Sequence, residues 1–302
     1  MIDQWDSGGK KRCMASVGLE RPFTTALGSP EQVHRLLGDV GYVTDLAIST
    51  TISIAALLEK PILVEGPPGT GKTQLATSLA RAVGTELIRL QCYEGMDESR
   101  VLFEWDYGKQ LLAVQSSDTR GTSDVFTEEF LIARPVLAAL TADAPPVLLL
   151  DEIDQLDHAA EALLLEALAE YQVTIPELGT IRAAAPPFTI LTSGGSRELT
   201  DALKRRCLYL HIDYPSPEKE RAIIRARVSN VSELLADQIA EAVGLLRSMK
   251  LKKHPSISET LDWARILVHG GREALDPHDL RNHLQVLLKN QSDIELVASE
   301  LA

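Results

Sequence analysis

Aromatic residues are scarce in this chain, 5% of 302 positions, and cysteine is scarcer: Cys13, Cys92 and Cys207 stand alone and far apart. Three such cysteines form neither a disulfide framework nor a close-spaced zinc site, which points to the cytosol rather than an oxidising compartment. Positive charge is also in deficit, with Lys+Arg 30 against Asp+Glu 43 and a net charge of −13. That balance opposes non-specific attraction to nucleic acid and to anionic membrane surfaces, so a nucleic-acid motor ranks low. No run approaches the ~18 consecutive apolar residues of a membrane span, and the first twenty residues lack the apolar core of a signal peptide. The expectation is a soluble, unprocessed, cytoplasmic chain. Residues 1–30, with the basic triplet Lys10, Lys11 and Arg12, read as a mobile, solvated tail.

Against these absences stands an apolar content of 45%, enough for a sizeable core, in a length that suits two domains. From residue 31 the order begins: Ser29-Pro30 is a helix start, and Val33, Leu36 and Leu37 follow at helical spacing. A second helix is expected from Asp45 to Leu58. The short apolar runs KPILVEG (60–66), ELIRLQC (86–92), VLLL (147–150), FTILTS (188–193) and CLYLHID (207–213) read as buried parallel strands, with helical segments between several of them. The fold class is therefore α/β, a parallel sheet covered by helices on both faces. Two stretches depart from plain alternation. One is the polar insertion at 93–130; the other, 171–187, has Val173 to Ile175 and Thr180 to Arg182 flanking a Pro-Glu-Leu-Gly turn, and predicts a β-hairpin. Beyond Pro215–Pro217 no strand pattern remains, and helices are expected at 218–228, 232–249, 257–269 and 277–290. The division is a nucleotide domain over 31–215 and a small all-helical domain over 216–302.

The stretch EGPPGTGKT (65–73) carries the chemistry. Gly66, Gly71, Lys72 and Thr73 satisfy G-x-x-x-x-G-K-[ST] between a predicted strand and a predicted helix, where Leu75, Leu79 and Val83 recur at i, i+4, i+8. Glycines let the loop from Gly66 through Pro67, Pro68, Gly69, Thr70 and Gly71 turn its N–H groups toward one point. Lys72 supplies a cation for β/γ-phosphates, and the Thr73 hydroxyl can ligate Mg²⁺. In VLLLDEID (147–154), Asp151 emerges from a buried strand where it can hold the Mg²⁺ shell, Glu152 can polarise an attacking water, and Asp154 can cap a helix. Tyr42 and Val43 are placed either against a base or in the core. His278 and His283 do not have the spacing of an H-E-x-x-H zinc pair and are read as solvated.

Together, EGPPGTGKT, LLLDEID and the helical C-terminal piece resemble an AAA+ ATPase of P-loop type, and the hairpin before FTILTS resembles the pre-sensor insertion of the MoxR group. ARPVLAAL, TIPELGTI, RELTDALKRRCLYLHIDYP and SISETLDWARIL are similar to the MoxR-type ATPases associated with carbon monoxide dehydrogenase maturation, the CoxD-like proteins. The resemblance covers about residues 31–290. It implies binding and hydrolysis of ATP with Mg²⁺ and a ring, hexameric in the family, with sites at subunit interfaces. It also implies chaperone-like remodelling of a metalloenzyme client together with a von Willebrand factor A-domain partner. Arg206, beside Arg205, falls where the family's arginine reaches the neighbouring subunit's γ-phosphate. At the sensor 1 position, usually asparagine, this chain has Thr192-Ser193-Gly194-Gly195, which leaves Ser193 or Ser196 to orient water. The sensor 2 arginine would lie near Glu259, where none is present; Arg265 is a displaced candidate. These departures define the alternative reading, a slow-hydrolysing nucleotide-gated switch or scaffold. Tyr93 to Asp97, Trp105 and Tyr107 are candidates for client contact, with packing of the insertion as the alternative for Trp105 and Tyr107.

Overall fold

The computed structural model describes residues 22–116, 125–276 and 278–301. Three helices lead in: α1 (Pro22–Ala26), α2 (Pro30–Asp39) and α3 (Leu46–Leu58). Ser29 caps α2 by accepting from the Gln32 N–H at 3.2 Å, and Asp45 caps α3 by accepting from Ile48 at 2.9 Å, each satisfying a donor the helix start leaves free. Order begins earlier than residue 31. Phe23 and Leu27 are buried against the face of the sheet that α2 and α3 cover, and the Phe23 ring lies 5.4 Å from that of Phe188. The expectation of a mobile tail is corrected for 22–30; Cys13 and the basic triplet lie outside the described residues.

The alternating part follows as β1 (Ile62–Glu65), α4 (Lys72–Val83), β2 (Leu87–Gln91), α5 (Glu98–Val101), β3 (Phe103–Trp105), α6 (Tyr107–Ser116), β4 (Leu131–Ala133), α7 (Pro135–Thr141), β5 (Val147–Asp151), α8 (His158–Glu170), β6 (Gln172–Ile175), β7 (Gly179–Arg182), β8 (Phe188–Ser193), α9 (Asp201–Arg206) and β9 (Leu208–His211). The main sheet is parallel with order β2-β5-β8-β1-β9. The inner strands β5, β8 and β1 are buried almost throughout because both faces are covered, whereas the edge strands β2 and β9 carry exposed residues. Val147 and Leu149 point into the core beneath α2, α3 and α4, whereas Leu148 and Leu150 point into the core beneath α7 and α8. The expected hairpin is β6–β7, paired antiparallel from Gln172↔Arg182 to Ile175↔Gly179. In the insertion, β3 pairs antiparallel with β4, and Trp105 packs edge-on against Phe103 and Phe126. Trp105 is thus an internal residue of the insertion, while Tyr93 and Tyr107 are exposed.

Six helices complete the chain: α10 (Pro217–Arg227), α11 (Glu233–Ser248), α12 (Ile257–His269), α13 (Asp279–Asn282), α14 (Leu284–Leu287) and α15 (Gln291–Glu300). They enclose their own apolar core around Ile239, Val243, Trp263, Leu284 and Leu287. Within it Arg247 makes a two-pronged ion pair with the buried Glu220. The single helix expected over 277–290 is instead two short helices that break at His283, and α15 was not anticipated. The break coincides with a tertiary contact: the Trp263 indole N–H donates to His283 Nδ1 at 3.2 Å, holding the ring inward while Leu284, Leu287 and Leu288 are buried. His283 is therefore half-buried and bonded, not solvated. Among the described residues no helix is long and apolar enough to cross a membrane.

The N-terminal correction has a measurable consequence. Leu27 is fully buried, so Leu27→Ala is expected to destabilise the protein by about 3 kcal/mol, through lost transfer energy and the cavity left behind. Chemical denaturation of parent and variant checks this; a loss below about 0.5 kcal/mol, the level of surface substitutions, would put 22–30 outside the core.

Candidate functional site

The sheet brings the ends of its strands into one row. Register pairs Gln91 with Asp151 and Glu65 with Ser193, and β8 continues beside β5 so that Thr192 follows Leu191, the partner of Leu150. In open parallel sheets ligands bind at this carboxyl edge. Here it faces a cavity of about 430 Å³, a size in the range of small-molecule sites. Its walls are the 68–74 loop and helix start, Gly41 to Val43, Asp151, Glu152, Thr192, Gly194, and the helical part through Ile223, Arg227, Ile257, Ser258 and Leu261. Of the two residues expected either against a base or in the core, Tyr42 belongs to the core, and both Tyr42 and Val43 border the cavity.

The loop 66–71 needs glycine for reasons of space as well as conformation. At Gly66 (φ 154°) a Cβ would lie 2.0 Å from the Ile212 carbonyl oxygen, and at Gly69 (φ 75°) 2.3 Å from Ser256 Cβ. Gly69 is also where the helical part is seated, because its carbonyl accepts from the Ile257 N–H at 3.1 Å. A second tie joins the Lys219 ammonium to Asp45 at 2.5 Å. Lys72, the first residue of α4, folds back under the loop and donates to the Gly66 and Pro67 carbonyls at 2.6 and 2.8 Å. Burial pulls its ammonium below the ordinary lysine value, and the carboxylates of Asp154, Asp151, Glu152 and Glu65 pull it back.

Asp151 is buried and its carboxylate is fully engaged. Oδ1 accepts from the hydroxyls of Thr73 at 2.9 Å and Thr192 at 2.6 Å; Oδ2 accepts from the Arg89 guanidinium at 2.5 Å. Glu152 adopts the left-handed conformation (φ 59°, ψ 49°), unfavourable by about 1–2 kcal/mol for a non-glycine residue. Its N–H is held by Thr192 Oγ1 at 2.9 Å and its carboxylate by the Gln91 amide at 2.8 Å. A hard divalent cation fits this donor set. Thr73 and Asp151 offer oxygen ligands within 2.9 Å of each other, and among the described residues no group of three or more His, Cys, Asp or Glu is arranged to hold a metal ion by itself. Such a cation would take its remaining oxygens from phosphate and water, as Mg²⁺ does.

Residues 61–207 match the family model of the AAA domain, dynein-related subfamily. That stretch of the chain is similar to an AAA domain. Over 219 residues it is 28% identical to an uncharacterized protein of Staphylococcus haemolyticus and 27% identical to one of Staphylococcus aureus, covering 70% of this chain and 76% of each relative. Among solved structures it is similar to RuvB of Thermotoga maritima, a Holliday junction branch migration motor, at 17% identity and TM-score 0.47, over 91% of this chain and 75% of that one. A RuvB point mutant gives 18% and 0.48, over 88% and 72%.

Around the cavity the remaining expected residues divide. Gly194 lines the cavity, lacks the positive φ that its neighbour Gly195 shows, and would place a Cβ in ordinary contact with Asp154 Oδ2 at 3.7 Å. Ser193 is buried and accepts from the Gly195 N–H at 3.1 Å, and the Ser196 hydroxyl donates to Asp154 at 2.7 Å, so both are committed elsewhere. Arg206 ends α9 outside the cavity and donates to the Ala202 carbonyl at 3.0 Å. Arg265 is also outside, paired with Asp262 at 2.8 Å, while Glu259 closes a capping box with Ser256. Thr192, Arg89 and Gln91 went unrecognised in the sequence. Their signal was positional: polar residues at the last turns of strands that border β5.

Asp154 is more than a cap, because it fastens the loop after β8 to the end of β5. Its carboxylate accepts from the N–H groups of Gly194 and Ser196 and from the Ser196 hydroxyl. Burial raises its pKa, but these bonds outweigh burial and hold it below the ordinary 3.8. The stability this supplies is full above that ordinary value and lost as pH falls through the lower folded value. Asp154→Asn is therefore expected to cost about 1–3 kcal/mol at neutral pH, with the gap to the parent closing below about pH 4. Denaturation midpoints across pH check it; a pH-independent gap would refute the charged-acceptor role.

Proposed function

We propose that the cavity binds ATP with Mg²⁺ and that the protein is a MoxR-type AAA+ remodelling ATPase. The observation that carries this reading is the convergence of a Gly66–Thr73 loop, its buried Lys72 and the adjacent acids Asp151 and Glu152 on one cavity closed by the helical part. In this reading Gly66, Pro67, Pro68, Gly69, Thr70 and Gly71 offer backbone N–H groups to the phosphates. Lys72 turns its ammonium from the loop carbonyls to the β/γ-phosphates, and Thr73 with Asp151 holds Mg²⁺, which neutralises charge on the transferring phosphoryl group. Glu152 leaves Gln91 to orient and polarise the attacking water. Apolar walls at Val43, Ile223 and Leu261 suit a base.

The functional division places the nucleotide domain up to residue 215 and a helical lid from 216 to 302, with Gly69–Ile257 as the contact that reports loop occupancy to the lid. Arg206 acts across an interface in a ring, hexameric by the MoxR resemblance. Its position outside its own cavity supports that assignment, since a guanidinium supplied by a neighbour stabilises transition-state charge by about 10³–10⁵ in rate. A metalloenzyme client and a von Willebrand factor A-domain partner rest on the sequence resemblance, and a cytoplasmic setting rests on the three scattered cysteines. The slow switch is retained as a second reading because Gly194 brings no side chain to the cavity and Glu152 is held by Gln91.

The reading is tested by complementation. Glu152→Gln is expected to bind ATP and lose turnover, and Arg206→Ala to lose turnover while keeping its own cavity intact. Mixed, the two variants should regain measurable phosphate release, because some interfaces then pair an intact Glu152 with an intact Arg206. Mixtures as inactive as either variant would remove Arg206 from catalysis in trans; undiminished hydrolysis by Glu152→Gln would remove Glu152 as the base.

A further inference from the structure

Arg89 has no part in the reaction proposed above, yet it makes the closest contact to Asp151 Oδ2. It lies on β2, the edge strand, two residues before Gln91 and on the same face, so its side chain runs along the sheet toward the neighbouring strand end. The guanidinium reaches Asp151 Oδ2 at 2.5 Å and Gln91 Oε1 at 2.5 Å. The Asp151 side chain is 4% exposed and that of Arg89 49%, so the cation is the movable partner. Both hydroxyl donors use Oδ1, which leaves Oδ2 to Arg89.

We infer that Arg89 is a built-in counter-cation that competes with the divalent cation for Asp151. The inference rests on the nucleotide reading. Glu65, Asp151, Glu152 and Asp154 all act on Lys72 from the same end of the sheet, so the site's carboxylates outnumber its buried Lys72 ammonium. A guanidinium stays charged and forms strong directional bonds to a carboxylate, and its presence lessens the attraction of that carboxylate for a second cation. Arg89 therefore does two opposite things. It weakens capture of the divalent cation, and it favours the charge of metal-free nucleotide. When Mg²⁺ enters with the nucleotide, Arg89 gives up Oδ2, and its exposure and its bond to Gln91 provide the path. Arg89 is a positioning residue; it touches neither the reacting atoms nor the water.

Opposite signs make the test specific. ATP affinity is measured by titration calorimetry on the full chain, once with EDTA and once with excess Mg²⁺, for the parent, Arg89→Met and Arg89→Lys. Arg89→Met keeps length and loses charge. It is expected to bind metal-free ATP about threefold more weakly and Mg·ATP about threefold more tightly, raising the ratio of the two dissociation constants about tenfold. Arg89→Lys is expected to keep the parent ratio within twofold. An unchanged ratio in Arg89→Met, or both affinities falling together as a packing defect would produce, overturns the inference while leaving nucleotide binding intact. A parent that binds ATP in neither buffer overturns the nucleotide reading and this inference with it.

Discussion

The site depends on one buried carboxylate. Asp151 accepts from Thr73 at the start of α4, from Thr192 on β8 and from Arg89 on β2, so it joins the loop helix to the strands on either side of its own. Each bond to an ionised acceptor contributes about 1.5–3 kcal/mol net. Removing the carboxylate would leave the Thr192 and Thr73 hydroxyls without this acceptor and Arg89 without its ion-pair partner. A polar network of this kind is stable only when complete. Its position is set by the apolar strand behind it: Val147 to Leu150 are buried on both faces, and no other register would bring Asp151 level with Gln91.

From that anchor the chemistry next to it follows. Glu152 is forced into a left-handed turn because the chain must leave the strand end sharply, and Thr192 compensates by receiving its N–H. The turn swings the Glu152 carboxylate toward β2, where Gln91 holds it. Strain at this position, supported by bonds from two adjacent strands, is the arrangement expected where a side chain must be aimed and later released. The helical part is coupled to the same place through Gly69, whose lack of a side chain lets Ser256 and Ile257 sit directly on the loop.

Much of this was legible in residue order. Five strands showed as apolar runs because a parallel sheet buries both faces, and the loop was readable because glycine, lysine and threonine at fixed spacing leave few alternatives. What escaped was whatever depends on strand order. Arg89 and Gln91 look like ordinary polar residues of an edge strand until β2 is known to lie beside β5. Thr192 reads as one more residue of a buried run until register puts its hydroxyl between Asp151 and the Glu152 N–H. The early helix at Phe23 and the break at His283 escaped for a related reason, since each coincides with a contact to a distant partner, Phe188 in one case and Trp263 in the other. The bond from the Ser196 hydroxyl to Asp154 escaped likewise, since it joins the loop after β8 to the end of β5.

In the proposed function the buried Lys72, bonded to the Gly66 and Pro67 carbonyls, is held in reserve for phosphate. Calorimetric titration of Mg·ATP into the parent and into Lys72→Ala tests it most directly. The account predicts saturable binding by the parent and a loss of at least about a hundredfold in the variant, because the β/γ-phosphates lose the loop's one ammonium. Equal affinities in a variant that remains folded would contradict it.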